Sequence, residues 1–205
     1  MKISNWFSLF FLLLSATHIN ATWAHVFDIA IISTYSGTQA SEGQSLWQGM
    51  RVATREADGH PDETSDGHLG GVDSNLLRVD STRGATSISD SIRKIAAQQG
   101  TAIVVLDNRF QDLDKQLSAA ASIVILTRSQ AGALPANVIL PTQLSDSRLK
   151  QFSVQYRQQY GLAPDSAARA GYISARLIAK AMRRLNNELE DQSRVQRVFI
   201  DARGP

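Results

Sequence analysis

The side chains best suited to chemistry near the start of the chain lie together in one polar segment. It contains Ser36, Gly37, Thr38, Ser41 and Glu42. Hydroxyl groups donate and accept hydrogen bonds, and a helix that begins here directs its unpaired N–H groups and the positive end of its dipole to the same place. This combination predicts a binding site for a small anionic or zwitterionic ligand. The same residues also fit an ordinary surface turn with helix capping.

A strand and a helix position this segment. Residues 27–32 are apolar apart from Asp28 and predict a strand, and the helix that follows has one apolar face. The residues of that face are Leu46, Met50, Ala53 and Ala57. Ser41 and Gln44 match a capping box at the start of the helix, and Gly59 stands where a left-handed residue would end it. The helix therefore opens at the carboxyl end of the strand, where open α/β sheets bind ligands.

A second set of polar residues follows a later strand. Residues 102–106 are apolar throughout, as in a strand that is covered on both faces of a parallel sheet. Asp107, Asn108 and Arg109 come next. Asp107 and Asn108 can hydrogen-bond a ligand, and Arg109 can pair with an anion. The alternative is a strand-to-helix loop whose charge is incidental.

The polar loop at residues 60–71 contains candidate metal ligands. They are His60, Asp62, Glu63, Asp66 and His68. Imidazole and carboxylate groups both bind divalent metals, but Pro and Gly interrupt any helical pairing here, and the spacing matches no closed site. We predict a solvated loop, with no bound metal and no cofactor.

The sequence lacks the residue patterns of common catalytic sites. It contains no cysteine, no Gly-x-Ser-x-Gly turn and no phosphate-binding loop. Beyond the first 24 residues its histidines are His25, His60 and His68, which stand in predicted loops or at a terminus. We therefore predict no catalytic residues and a protein that is not an enzyme.

The first 24 residues have the features of a secretory signal peptide. Lys2 precedes an apolar run at residues 7–14, and small residues stand at Thr22 and Ala24. Removal of this segment leaves 20 basic and 19 acidic residues, a net charge of +1. This balance favours neither nucleic acid nor an anionic membrane as partner, and no cysteine is present to carry a lipid anchor. We expect a soluble periplasmic protein that does not insert into the membrane after cleavage.

Beyond the first helix, apolar strands alternate with amphipathic helices. Strands are predicted at residues 76–80, 102–106, 123–126 and 137–140, and helices at 86–99, 113–121, 145–160 and from 164 onward. Gly100 and Gly161 mark helix ends, and residues 195–200 suggest a final edge strand. This alternation predicts an α/β fold with a doubly wound, mostly parallel sheet.

Two segments, in a fixed order, carry a recognisable pattern. The first is YSGTQASEGQ at residues 35–44 with GMRVA at 49–53. The second is Phe152-x3-Tyr156-x3-Tyr160-Gly161-x2-Pro164, followed by AAxxGY at residues 167–172. Together they resemble the periplasmic leucine/isoleucine/valine-binding-protein family, the solute receptors of branched-chain amino-acid ABC transporters. The resemblance implies a type I periplasmic-binding fold, a small-molecule solute as ligand and an ABC permease as partner.

The chain departs from this family at two places that matter for the ligand. The receptors usually carry Gly-Pro and a Ser/Thr pair that grips an amino acid where this chain has Asp107, Asn108 and Arg109. Glu42 stands where they often carry an aromatic residue. The resemblance therefore implies a small amino-acid-like or carboxylate solute whose identity is open.

The spacing of the two segments separates the chain further from the family that it resembles. The receptors have two lobes around the ligand, whereas here only residues 127–136 separate the two parts that resemble the first lobe. So short a segment cannot form a second lobe. We expect a signal peptide followed by a single lobe at residues 25–205, with half of a binding cleft. The alternative function is a periplasmic accessory or assembly protein that binds another protein, for example in a quinoprotein alcohol dehydrogenase system.

Overall fold

The computed structural model describes residues 26–56, 65–107, 113–127, 134–186 and 188–203. Within these ranges the strands are β1 Phe27–Ser33, β2 His68–Leu69, β3 Val72–Asp80, β4 Ile103–Leu106, β5 Ile123–Leu126 and β6 Val138–Ile139. The helices are α1 Ala40–Glu56, α2 Ala85–Gln99, α3 Leu113–Ser118, α4 Asp146–Tyr160, α5 Ser166–Leu185 and α6 Gln192–Ala202, with 3₁₀ turns at Gly37–Gln39 and Ser81–Arg83. None of these helices has both the length and the apolar character that a membrane span requires.

The strands form one sheet in the order β2-β3-β1-β4-β5-β6. The pairs β1–β3, β1–β4, β4–β5 and β5–β6 are parallel, and only the two-residue strand β2 runs antiparallel to its neighbour among the described strands. The chain passes from β1 to β3 on one side and then crosses to β4 on the other. The carboxyl ends of β1 and β4 therefore flank the point where the strand order reverses, which is the usual ligand position in such sheets.

The parallel strands contribute alternate residues to two apolar layers. Ile29 and Ile31 of β1 face the layer covered by α1, α4, α5 and α6. Ala30 and Ile32 face the opposite layer, which α2 and α3 cover. Burial on both faces explains why β4 and β5 are continuously apolar. The two covered faces also confirm the predicted doubly wound, mostly parallel α/β architecture.

Most predicted elements are confirmed, and several of their ends are too. The predicted strand at residues 123–126 matches β5, and α2 ends at Gly100 in the left-handed conformation. The α4 helix begins after Ser145, whose side chain accepts a hydrogen bond from the Arg148 N–H, and it ends at left-handed Gly161. The two-residue strand β2 was not predicted, because two residues are too few for any periodicity to be visible.

The predicted edge strand at residues 195–200 is wrong. These residues lie within helix α6, where Val195, Phe199 and Ala202 are buried at a spacing of four and three residues. The Asp191 carboxylate caps the helix by accepting a hydrogen bond from the Arg194 N–H. The apolar residues of this stretch stand at positions 195, 198, 199 and 200, and so short a run does not distinguish a strand from a helix. The cap at Asp191 decides for the helix.

The predicted capping box at the start of α1 is also wrong. The 3₁₀ turn Gly37–Gln39 leads directly into α1, so Ser41 lies inside the helix rather than at its cap. The apolar face is confirmed at Leu46, Met50 and Ala53, which are buried. Ala57 and Gly59 lie outside the described residues.

A polar network joins the end of α1 to the middle of α5. The Tyr172 hydroxyl donates to both carboxylate oxygens of Glu56, at 2.8 and 3.0 Å, and the Arg176 guanidinium contacts the same carboxylate at 3.0 Å. Burial and the Glu56 carboxylate raise the pKa of Tyr172, so its hydroxyl remains a donor. Phe152 of α4 stacks on the Tyr172 ring at 4.3 Å between centroids. The aromatic residues of the second sequence pattern thus hold α4 and α5 together.

Candidate functional site

A buried hydrogen bond joins the carboxyl ends of β1 and β4. The Ser33 hydroxyl donates to Oδ2 of Asp107 at 3.1 Å. The two residues are 0% and 4% exposed. Because a buried carboxylate requires hydrogen-bond donors, this contact fixes Asp107 at the point where the strand order reverses.

The loops after β1 and β3 are joined in a similar way. The hydroxyls of Thr34 and Ser81 lie 3.3 Å apart. Asp80 accepts hydrogen bonds from the Thr82 N–H at 3.0 Å and from the Thr82 hydroxyl at 2.9 Å, and it also accepts one from the Ser36 side chain. These donors, led by the Thr82 N–H, lower the pKa of Asp80. The ends of three neighbouring strands are thereby connected through side chains.

We expect the stability of the Asp80→Asn variant to fall less at low pH than that of the unchanged protein. The pKa of Asp80 is lowered in the folded protein, so its carboxylate stabilises the fold above an unfolded pKa of about 4, and this contribution is lost as the pH falls through the folded value. The urea midpoint should therefore fall less between about pH 7 and about pH 3 in the variant than in the unchanged protein.

Asp201→Asn provides the control, because Asp201 is an exposed carboxylate near the end of α6. This variant should show the same change of urea midpoint with pH as the unchanged protein. Identical pH profiles for Asp80→Asn and the unchanged protein would show that the hydrogen bonds to Asp80 do not stabilise the fold.

Tyr35 occupies the space between the strand ends. Its hydroxyl donates to the backbone oxygen of Ile31 at 3.3 Å. Burial raises the pKa of Tyr35, the charge of Arg78 opposes this shift, and the carboxylates of Asp107 and Asp80 add to it. The phenol is therefore a neutral group that stands close to both carboxylates.

The start of α1 packs against the end of β1. A Cβ atom at Gly43 would lie 2.2 Å from the backbone oxygen of Thr34, so only glycine allows this approach. Thr38 and Ser41 are exposed, and Glu42 is half-buried in the first turn of the helix. The helix N-terminus thus stands beside the strand ends, as the sequence predicts.

The predicted ligand-binding residues fall into two groups. Asp107 and Ser36 contact side chains of other strand-end segments, whereas Gly37, Thr38 and Ser41 face solvent. Asn108 lies outside the described residues. Ser33, Thr34 and Asp80 were not singled out from the sequence. Each of them is a polar residue within two positions of the end of a predicted strand, and this position could have identified them as candidates. We call Ser33, Ser36, Thr38, Ser41 and Asp107 the strand-end site.

The candidate metal loop is described only in part. His60, Asp62 and Glu63 lie outside the described residues. Asp66 accepts a hydrogen bond from the Leu76 N–H at 2.9 Å, and His68 pairs with Asp73 on the neighbouring strand, with 2.6 Å between the imidazole nitrogen and the carboxylate oxygen. In the described part of the chain, no three His, Asp or Glu side chains converge as a metal site would require. Both contacts join the segment around β2 to strand β3.

Solved structures share this fold at low sequence identity. One is a solute-binding protein of an ABC transporter from R. palustris in complex with benzoate, 11% identical, with a TM-score of 0.52 over 85% of this chain and 85% of that chain. Another is an amino-acid ABC transporter substrate-binding protein from Pseudomonas fluorescens, 10% identical, with a TM-score of 0.51 over 84% of this chain and 82% of that chain. No family model matches the sequence, and no curated protein matches it. The likeness shows that the chain has the α/β sheet of one lobe of a type I periplasmic-binding fold.

Proposed function

We propose that this chain is an exported solute-binding protein of an ABC transporter of the branched-chain amino-acid type. In this proposal it is a single-lobe or truncated variant, and it binds a small amino-acid-like or carboxylate solute at the strand-end site. The role is one of binding and not of catalysis. An ABC permease or another periplasmic protein is the expected partner.

The observation that carries this proposal is the Ser33–Asp107 hydrogen bond at the reversal of strand order. It joins two strands that are separated by 74 residues in the sequence, in the position where open α/β sheets bind ligands. A binding site is most effective when its groups are held in place before the ligand arrives, and the side-chain links among β1, β3 and β4 do this. The fold shared with ABC transporter solute-binding proteins supports the same reading.

A single lobe offers one wall of a binding cleft. Enclosed small-molecule sites bury about 70–90% of their ligand, and a single wall buries much less. We therefore expect weak affinity for the free solute, and tighter binding when a partner protein covers the strand-end site. Glu42 is half-buried and places a carboxylate on this wall, which favours a solute that also carries hydrogen-bond donors.

We expect a thermal-shift screen of the protein without residues 1–24 to reveal a stabilising solute. The panel contains amino acids, benzoate and small aliphatic carboxylates. A solute at about ten times its Kd stabilises the fold by about 1.4 kcal/mol, which is a rise of about 3–6 °C in Tm for a chain of this size. The Thr38→Val, Ser41→Ala double variant removes two exposed hydroxyl groups and changes the size of the side chains little. It should abolish most of that shift in Tm.

The matched control is the Thr86→Val, Ser193→Ala double variant, which makes the same changes at exposed positions near the starts of α2 and α6. It should respond to the solute like the unchanged protein. No shift with any solute, or equal shifts in both double variants, would contradict binding at the strand-end site. Absence of any shift together with a stable complex with one periplasmic protein would favour the accessory role instead.

A further inference from the structure

We propose that two copies of this chain associate through strand β3, so that their sheets join edge to edge. The strand β3 runs from Val72 to Asp80, but β2 pairs only with Val72 and Asp73. From Ser74 onward β3 has a neighbouring strand, β1, on one side only. We call the other side the outer edge of β3. None of its residues belongs to the strand-end site.

The hydrogen bonds around β3 show which of its residues direct their backbone groups to the outer edge. The Ser74 N–H donates to the Gly67 oxygen at 2.9 Å, and the Ser74 oxygen accepts from the Asp66 N–H at 3.0 Å. The Leu76 N–H donates to the Asp66 carboxylate at 2.9 Å, and the Leu76 oxygen accepts from the Trp47 indole at 3.1 Å. Because alternate residues of a parallel strand bond to the same side, positions 78 and 80 also face outward.

The outer edge is satisfied within the chain at its first two positions and open at the next. Among the residues that the structure describes, none is placed against the outward N–H and C=O of Arg78. Arg78 is exposed, and Asp80 keeps an extended backbone with φ −72° and ψ 123°, so its N–H continues the row. Unpaired backbone groups on an exposed edge form a template for a further strand.

The charges on this edge fit a second copy of the same chain. A two-fold interface brings the same strand from both copies together in antiparallel orientation. Three registers place outward residues opposite each other: Arg78 against Arg78, Asp80 against Asp80, and Arg78 against Asp80. The first two bring like charges together, which destabilises a strand pair, whereas the third forms two pairs of opposite charge. The edge is therefore self-complementary in one register.

The Arg78 side chain is positioned for this pairing. Its guanidinium donates to the Gln44 side-chain oxygen at 3.2 Å and lies over the Trp47 ring, 5.1 Å from the centroid. Both contacts are with uncharged groups, and a guanidinium has five N–H donors. Donors thus remain for Asp80 of the second copy, which lies on the same face of the joined sheet as Arg78 because opposite residues share a face.

Asp80 is held in place and can accept further bonds. Thr82 donates to its Oδ1 through both the N–H and the hydroxyl, and the Ser36 side chain donates to the same carboxylate. An ionised carboxylate has about four acceptor positions, so a guanidinium can still bind it. The Asp80 N–H meets the Arg78 oxygen of the second copy in this register, and the backbone pairing adds to the ion pairs.

The test is sedimentation equilibrium of the protein without residues 1–24, from about 10 μM to about 1 mM. We expect a monomer–dimer equilibrium. Arg78→Glu puts like charges opposite each other in both pairs and should weaken association about tenfold or more, which corresponds to about 1.4 kcal/mol. Arg197→Glu is the matched control, because it makes the same change at an exposed arginine of α6 and should dimerise like the unchanged protein.

A mixing experiment separates charge pairing from general damage to the strand. Chains with Arg78→Glu carry two acidic groups on the edge, and chains with Asp80→Arg carry two basic ones, so neither should self-associate. In the mixture every pair is of opposite charge in the proposed register. The mixed dimer should therefore be tighter than either homodimer. Circular dichroism and the urea midpoint should show that each variant is folded.

Hydrogen exchange followed by NMR locates the interface. The amides of Arg78 and Asp80 should exchange more slowly as the protein concentration rises, whereas those of Leu77 and Val79, which bond to β1, should be protected throughout. A monomer at every concentration would overturn the proposal. A dimer that Arg78→Glu does not weaken, or one that leaves exchange at Arg78 and Asp80 unchanged, would overturn it as well.

The outcome is independent of the proposed solute site. The Thr38→Val, Ser41→Ala variant keeps the outer edge of β3 intact and should dimerise like the unchanged protein. Loss of the solute response in that variant with an unchanged dimer would support both proposals. Failure of the screen to find a solute would leave the expected monomer–dimer equilibrium and its dependence on Arg78 as they are.

Discussion

Gly49→Ala should destabilise the protein by about 3 kcal/mol, and Gly171→Ala by a similar amount. Both glycines lie where α1 and α5 cross. A Cβ atom at Gly49 would stand 1.9 Å from the backbone oxygen of Ala168, and one at Gly171 would stand 2.1 Å from the backbone oxygen of Leu46. Backbone atoms cannot rotate away as a flexible side chain can, so the two helices must separate.

The direction of the change in stability tests the close approach of α1 and α5. At an unobstructed helical position, alanine in place of glycine stabilises a protein by about 0.5–1 kcal/mol. Urea unfolding followed by circular dichroism measures the change as a shift in midpoint at constant slope. A rise in the midpoint of either variant would show that α1 and α5 do not approach as closely as described.

The same crossing has a consequence for the strand-end site. The first turn of α1 carries Ser41. A change that separates α1 from α5 should therefore weaken solute binding as well as stability. The Thr38→Val, Ser41→Ala variant should weaken solute binding alone, which distinguishes a loss of packing from a loss of a contact.

Phe199→Ala should destabilise the protein by about 3–5 kcal/mol, because it removes a fully buried aromatic side chain and leaves a cavity. The matched change is Arg197→Ala, two residues earlier. Arg197 is exposed in α6, and its replacement should alter the free energy of unfolding by no more than about 0.5 kcal/mol.

This pair distinguishes a helix from a strand at residues 195–200. In a strand, residues 195, 197 and 199 would share one face, so both changes would fall in the same environment. In α6, Val195 and Phe199 point into the core and Arg197 points away. Urea unfolding of the two variants measures the difference, and comparable losses in both would contradict the helix.

Much of the fold could be predicted because its causes are local. The apolar run at residues 123–126 is long enough for a buried strand and too short for a helix, and it forms β5. Gly100 and Gly161 end helices because glycine adopts the left-handed conformation without a steric penalty. Where local signals conflict, as at Ser41 and residues 195–200, the predictions failed.

The strand-end site could be predicted only in outline. Asp107 follows a predicted strand, and the rule for open α/β sheets places it near the loop after β1. Its partner Ser33 was not identified, because nothing within the neighbouring residues indicates a contact across 74 positions of the chain. The link between Ser36 and Asp80 depends in the same way on the pairing of β1 with β3.

By itself, the sequence determined most of the segments that become strands and helices, that the sheet is covered on both faces, and that polar residues gather at the strand ends. These properties arise from contacts within one or two turns of chain and from the period of the apolar residues. The tertiary structure alone decided which polar residues meet and how closely α1 and α5 approach. Each of these depends on strand order and helix packing, which bring together residues that are far apart in the sequence.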